Sequence, residues 1–399
     1  MHFWHTLPQP IIGLAPMDGV TDAAFRWMVA RHGKPDVQYT EFISVEELCR
    51  GTASAWRQLR FAELERPVLA QLYGANPDRF YQATHMICTL GFDGVDINMG
   101  CPATSVTARG SGAALITNPP LAREIMRAVH AGVRDWAAGH AIATIGLQPS
   151  VVEQLQAWTS VASRPQRGPR TALPVSVKTR LGYDTVVIEE WVSLLLEERP
   201  EVIAIHGRTL TQRYRGQADW EAIRRAAKLG RDTSTLVLGN GDLGTMAEVV
   251  ERVRQTQVQG VLIGRGALGN PWLFLAKAWA QHPCATATAH ARPLDVSVRD
   301  RLQIALEHAR YFESLGDGVP FAAMRIHLGW YCRGFPGAAA TRAQMFKTTN
   351  AEDVARVVAM LQSVSDECVP PFTHEAAQSF EGLALYTLQC RGIGDFWKK

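Results

Sequence analysis

Cys101 lies in Asn98-Met99-Gly100-Cys101-Pro102, just after a short apolar run. A thiol there, with an ordinary pKa near 8.5, is mostly protonated at neutral pH and can donate a proton or act as a nucleophile. Most cysteines are inert packing, so it is the position on a loop that sets this one apart; Met99 beside it reads as packing. Lys178 and His206 close two other apolar runs and Gln71 closes a third, which would give a polar ligand a set of donors. Two more runs end in the Gly-rich turns Asn240-Gly241-Asp242 and Gly264-Arg265-Gly266, each ahead of a helical pattern. Backbone N–H groups at such turns, backed by a helix N-terminus, form a phosphate seat.

Other chemistries lack their signatures. The sequence has no H-E-x-x-H, no G-x-S-x-G and no His/Cys/Asp cluster at metal spacing, so no metal is expected. Seven cysteines, at 49, 88, 101, 284, 332, 368 and 390, form no C-x-x-C pair and suggest neither a disulfide framework nor zinc. The N-terminal residues lack the charge and apolar run of a signal peptide, and no apolar run is long enough for a membrane span. These features lead us to expect a soluble cytoplasmic protein, with a monomer favoured.

The elements that must position these residues follow from the pattern. Apolar runs begin at residues 11, 37, 68, 94, 175, 202, 236 and 260, bounded by Gly, Pro, Asn or Asp. Continuous runs of this length suit parallel strands covered on both faces. Helix-like stretches alternate with them, among them Asp22–Arg31, Pro77–Leu90, Pro119–Val133, Thr185–Glu198 and Thr245–Gln255. Eight such units predict an α/β fold of the (β/α)8 TIM-barrel type over residues 1–280. A doubly wound sheet is disfavoured because the first turn reads Ala15-Pro16-Met17-Asp18-Gly19 rather than G-x-G-x-x-G. One gap, between 94 and 175, is oversized and marks an insertion at about 135–173. It follows a helix and precedes a strand, so it is expected on the bottom face, away from the site.

Barrel sites form at the C-terminal ends of strands, which is where Pro16-Met17-Asp18, Glu41, Gln71, Asn98 to Pro102, Lys178 to Arg180, His206 and both Gly-rich turns fall. A planar phosphorylated cofactor such as flavin mononucleotide suits this set, with Gln71 on the pyrimidine edge and Lys178 near negative charge on the reduced ring. After a Pro283–Pro293 linker, helical spacing resumes and predicts a helical domain over 294–365, followed by a tail at 366–399. The 399 residues carry 41 Lys and Arg against 38 Asp and Glu, a net charge of only +3, so any polyanion site must be a local patch. Pro320–Thr349 provides one: Arg325, Arg333, Arg342 and Lys347 with no acidic residue, interleaved with Phe321, Trp330, Tyr331, Phe335 and Phe346. About three of these five aromatics are expected in the core.

Taken together, these stretches resemble the tRNA-dihydrouridine synthase family. The resemblance rests on Leu14 to Asp22, Asp96 to Pro102, Val175 to Arg180, Ile205 to Thr209, Gly239 to Asp242 and Ile263 to Gly266, in family order. It implies an FMN-binding barrel followed by a helical domain that grips tRNA, and reduction of the C5–C6 bond of a uridine with FMN recharged by NADPH. Hydride would pass from flavin to C6, and Cys101 would protonate C5. It further implies that Pro16, Met17 and Asp18 lie at the flavin, that Gln71 and Lys178 hold its ring and that His206 lies beside it. Asn240, Gly241, Asp242, Gly264 and Arg265 would bind its phosphate. Asn98 and Arg180 would meet the uracil and a neighbouring phosphate, and Arg325 and Lys347 the RNA.

Two departures stand out. Ser105 occupies a position where many members carry lysine, a contact Arg109 is placed to replace, and the insertion before the fifth strand is atypical. Two other readings remain open: a flavin barrel acting on a small pyrimidine, and a non-catalytic RNA-binding protein.

Overall fold

The computed structural model describes residues 2–161, 170–282, 296–316 and 318–362. Eight parallel strands run in the order β1-β8-β7-β6-β5-β4-β3-β2. They are β1 (Ile11–Leu14), β2 (Gln38–Ser44), β3 (Val68–Tyr73), β4 (Gly94–Met99), β5 (Val175–Arg180), β6 (Val202–His206), β7 (Leu236–Asn240) and β8 (Gly260–Ile263). The ring closes between β1 and the residues entering β2, where Asp36 N–H donates to Ile12 O and Leu14 N–H to Val37 O, both at 2.9 Å. This is the expected (β/α)8 barrel.

Strand side chains alternate, so one set from each strand fills the barrel and the other meets the surrounding helices. At the bottom the inner set is apolar, with Ile11, Val37, Tyr39, Leu69, Val202, Leu236, Leu238 and Leu262 in one cluster. Trp4 is fully buried in the same cluster and plugs the lower end. Two residues further along the strands the same inner face becomes polar: Leu69 gives way to Gln71, Ala204 to His206 and Leu238 to Asn240. The period of two that makes the floor dry also delivers the polar groups to the mouth.

Loops leading from strands to helices end in side-chain caps. Asp22, Asn76, Asp219 and Thr245 each accept a backbone N–H in the first turn of the helix that follows. These bonds fix the ends of the loops that carry the candidate site. β2 runs to Ser44, past Glu41 at its expected end, and its pairing with β3 shifts register between Tyr39 and Phe42. Within that irregularity Thr40 Oγ1 accepts the Gln71 N–H at 3.0 Å, replacing a ladder bond. Such bulges re-aim side chains beside functional sites.

The insertion, expected on the bottom face from its place in the sequence, is not confined to it. Its helix Pro149–Val161 lies against the flank, beside Gly51 and Trp56. The cause is its apolar stripe: Val151 and Leu155 are each 1% exposed, and Trp158 continues the stripe one turn later. Residues 162–169 and 283–295 lie outside the described residues, and with them the expected Pro283–Pro293 linker; so does the expected tail at 366–399.

After the barrel, helices Val298–Ser314, Met324–Tyr331, Ala338–Met345 and Ala351–Gln362 pack around Leu302, Leu306, Met324, Leu328 and Val354. They meet the barrel through helix Ala23–His32. There Trp27 stacks on Tyr311 at 4.0 Å between centroids, and Glu307 pairs with both Arg31 and His32. Among the described residues no helix is long and apolar enough to cross a membrane.

Candidate active site

The loop after β4 is locked from below. Asn98 Oδ1 accepts the N–H groups of Gly100 at 3.0 Å and Cys101 at 2.8 Å, and Asn98 Nδ2 donates to Gln71 Oε1 at 2.9 Å. Gln71 Nε2 in turn donates to Asp96 Oδ2 at 2.6 Å, and Ser176 Oγ to Asp96 Oδ1 at 2.5 Å. A continuous chain therefore runs from β5 through β4 and β3 to the Cys101 backbone. Asp96, fully buried, is pushed up to about 6 by burial, against the pull of Ser176, Gln71 and Lys178.

The same loop is clamped from the side. Arg180 Nε donates to Gly100 O at 2.5 Å and its Nη1 to Thr209 O at 3.2 Å. Gly112 lies close beneath, with φ +61°, and a Cβ there would come within 2.9 Å of Cys101 O. The Cys101 side chain sits with Phe42 and Val106, flanked by Tyr73 and Ala103. In this apolar setting burial pushes the thiol up to about 11, with a further push from Asp18, while the Ala103 N–H and the cations Arg180 and Lys178 act against it. A thiol so placed holds its proton at neutral pH and is suited to general acid work.

Lys178 and His206 occupy adjacent strands, as expected. Lys178 Nζ donates to Asn240 Oδ1 at 3.2 Å. Burial and then Arg180 lower its pKa to about 8. His206 is held neutral by burial and by the charges of Arg180, Lys178, Arg208 and Arg265. Four cations thus converge on one strand end, an arrangement that favours an anionic occupant.

The two Gly-rich turns meet beside them. Gly241, at φ +134°, passes so close to the β6 loop that a Cβ would fall 2.6 Å from Ala218. Asp242 has φ 50° and accepts Arg208 Nη2 at 2.6 Å, Ala218 N–H at 2.8 Å and Arg265 Nη2 at 2.9 Å. Although burial would raise its pKa, the Arg208 bond and the charges around it lower it. This carboxylate is an anchor that presents Arg265 and is itself unsuited to touch a phosphate. Gly264 faces Met17, whose Sδ lies 3.3 Å from the position of a Cβ.

The β1 loop supplies Pro16, Met17 and Asp18. Asp18 opens onto the mouth, yet the protein around it displaces enough water to push its carboxyl up to about 6. Glu41, carried by the β2 irregularity, accepts Gly19 N–H at 2.6 Å. Burial, reinforced by Asp22 and Asp18, pushes Glu41 up to about 8.

The structure gathers Cys101, Asn98, Gln71, Lys178, Arg180, His206, Asn240 and Arg265 into one mouth. It commits Asn98 and Arg180 to holding the Cys101 loop, where base and phosphate contacts were expected; Arg180 is only 4% exposed. Arg325 and Lys347 lie apart, on the helical region. Arg325 Nε donates to Thr348 O at 2.9 Å, whereas Lys347 is exposed. Of the interleaved aromatics, Trp330 and Tyr331 are buried, while Phe321, Phe335 and Phe346 are half-buried. Arg109 is exposed near Tyr73. Sequence reasoning missed Phe42, Tyr73, Asp96 and Arg208 as site residues. Tyr73 is two places beyond Gln71, so the strand period could have found it.

Comparison with known proteins agrees with this geometry. The model of the family described as "Dihydrouridine synthase (Dus)" matches residues 13–137 and 168–367. A relative named "Probable tRNA-dihydrouridine synthase 2", from Bacillus subtilis strain 168, is 32% identical over 359 residues, covering 88% of this chain and 94% of its own. A second, named "Probable tRNA-dihydrouridine synthase", from Staphylococcus aureus strain MRSA252, is 30% identical over 374 residues, covering 92% and 98%. The chain belongs to the dihydrouridine synthase family.

Proposed function

We propose that the protein reduces the C5–C6 bond of uridines in tRNA, with FMN as resident cofactor and NADPH as reductant. The observation that carries this reading is the buried Cys101 thiol, locked on its loop by Asn98 and Arg180 in the same mouth as Gln71, Lys178 and His206. The residues fit FMN. The close-packed Gly241 turn, Gly264 and the Arg265 held by Asp242 suit its phosphate, and the cation excess around His206 suits its negative charge. Asn240 would hold Lys178 toward the ring, while Pro16, Met17 and Asp18 would line its edge.

Bound FMN would supply hydride to one face of the uracil. Cys101 would hold the proton for C5 on the other face, and the nearby Lys178 and Arg180 would stabilise the thiolate it leaves. Neutral His206 would orient polar groups without competing as an acid. Phe42, Val106 and Tyr73 would keep water from the thiol. A uridine stacked in folded RNA must be flipped out to reach this mouth, and Lys347 with its basic neighbours would hold the backbone.

The test is to purify the protein, record its visible spectrum, and measure dihydrouridine after incubation with NADPH and unmodified tRNA. A flavin spectrum with dihydrouridine formed supports the reading. Flavin without RNA reduction would favour a small pyrimidine substrate, and no flavin would favour RNA binding without catalysis.

A further inference from the structure

The helix Pro149–Val161 belongs to a stretch, residues 138–167, that the family model leaves unmatched. It is nevertheless docked in detail. Gln154 Oε1 accepts the Trp56 Nε1–H at 2.8 Å, and Trp158 lies against Trp56 at 5.3 Å between centroids. Contact at Gly51, which has φ +72°, is so close that a Cβ would lie 2.6 Å from Gln154 Oε1. The insert therefore packs on the segment between β2 and β3.

Arg60, in that segment, joins three parts of the molecule. Its guanidinium lies 5.8 Å from the Trp158 ring centroid, and its Nη1 donates to Leu315 O at 2.5 Å, at the end of helix Val298–Ser314. Its carbonyl accepts from Arg26, which pairs with Glu65 at 2.7 Å in a fully buried ion pair. Arg60 lines a cleft of about 760 Å³ together with Trp56, Trp158, Tyr311 and Leu315. Trp27 on Tyr311, Glu307 with Arg31 and His32, and Phe25 against His327 also join the helical region to the barrel, all through helix Ala23–His32. Arg60 adds a bond from a different segment of the barrel, at the C-terminal end of helix Val298–Ser314.

We propose that the insert helix and Arg60 form a strut that sets the angle of the helical region to the barrel mouth. Trp158 and Arg60 are thereby positioning residues that determine which uridine reaches Cys101. The inference rests on the tRNA reductase reading above. RNA held at Lys347 is carried by the helical region, so a small rotation there displaces the target base at the mouth, and displacements near 1 Å can cost about 100-fold in rate.

The test compares Trp158→Ala, Trp158→Phe and Arg60→Met, the last keeping an apolar stem against Trp158 while losing the bond to Leu315. Flavin content and the rate of flavin reduction by NADPH without RNA should match wild type. KM for tRNA should rise by about 3- to 30-fold in Trp158→Ala and Arg60→Met, with Trp158→Phe largely restored. Mapping dihydrouridine along the tRNA should show loss of preference for the wild-type position. Unchanged KM and position in both variants would overturn the strut. So would loss of flavin from either, which would make the residues supports of the barrel itself. A wild-type protein that makes no dihydrouridine would instead overturn the reductase reading.

Discussion

Asn98 Oδ1 accepts the Cys101 N–H at 2.8 Å, so a residue of β4, one before its end at Met99, also fixes the loop that carries the candidate acid. Removing that acceptor leaves the Gly100 and Cys101 amides without their partner in a buried loop, a defect of about 1–3 kcal/mol per unsatisfied group. Asn98→Ala should lower the rate at which tRNA reoxidises reduced enzyme by about 10- to 100-fold. Because Asn98 also holds Gln71, FMN affinity should fall too, but by less than the rate, as titration of the apoprotein would show. An unaltered single-turnover rate would dissociate loop locking from chemistry.

Lys178 gives a pH signature. Its ammonium, held down to about 8 by burial and then by Arg180, is charged below that pH and neutral above it. FMN affinity should therefore fall as pH rises through about 8, and Lys178→Met should flatten the profile. Stability should move the other way. Between about 8 and the unfolded lysine value near 10.4 the unfolded chain binds a proton that the fold does not, so this group's contribution to the free energy of unfolding rises with pH. Fluorescence titration and urea unfolding across pH 7–10.5 would measure both slopes. An apoprotein whose FMN affinity is flat through this range would remove Lys178 from the cofactor site.

On the helical region, replacing Arg325 and Lys347 together with alanine should weaken tRNA binding and reduce the slope of log K against log salt by about 1 to 2. Because Arg325 is bonded to Thr348 O while Lys347 is exposed, Lys347→Ala alone should account for most of the change. Filter binding over a salt series measures this; an unaltered slope places the RNA elsewhere.

Trp4 offers a test of the barrel floor. Fully buried among the lower inner residues, it should cost about 3–5 kcal/mol when cut to alanine. The denaturation midpoint should fall while the flavin spectrum of the folded fraction stays the same.

The barrel was legible because buried parallel strands are continuous apolar runs and their ends carry unusual residues. Cys101, Lys178, His206 and Arg265 could be placed at the mouth by counting strands alone. What escaped were relationships. Asn98 and Arg180 looked free to meet RNA because a sequence does not reveal that Gly100 and Thr209 carbonyls or a Cys101 amide will claim them. Phe42 was hidden because the β2 irregularity shifts the register, and no local residue pattern announces that shift. Position in the sequence placed the insert at the bottom, but the stripe of Val151, Leu155 and Trp158 drew it along the flank. Residues 366–399 lie outside the described residues.

The central claim is that Cys101 delivers the proton. The most direct measurement is the Cys101→Ala variant, reduced with NADPH and mixed with unmodified tRNA in a single turnover. It should bind FMN and accept electrons from NADPH as the parent does, yet form dihydrouridine about 100- to 10,000-fold more slowly, the usual span for loss of a general acid. Dihydrouridine appearing at the parental rate would contradict the account.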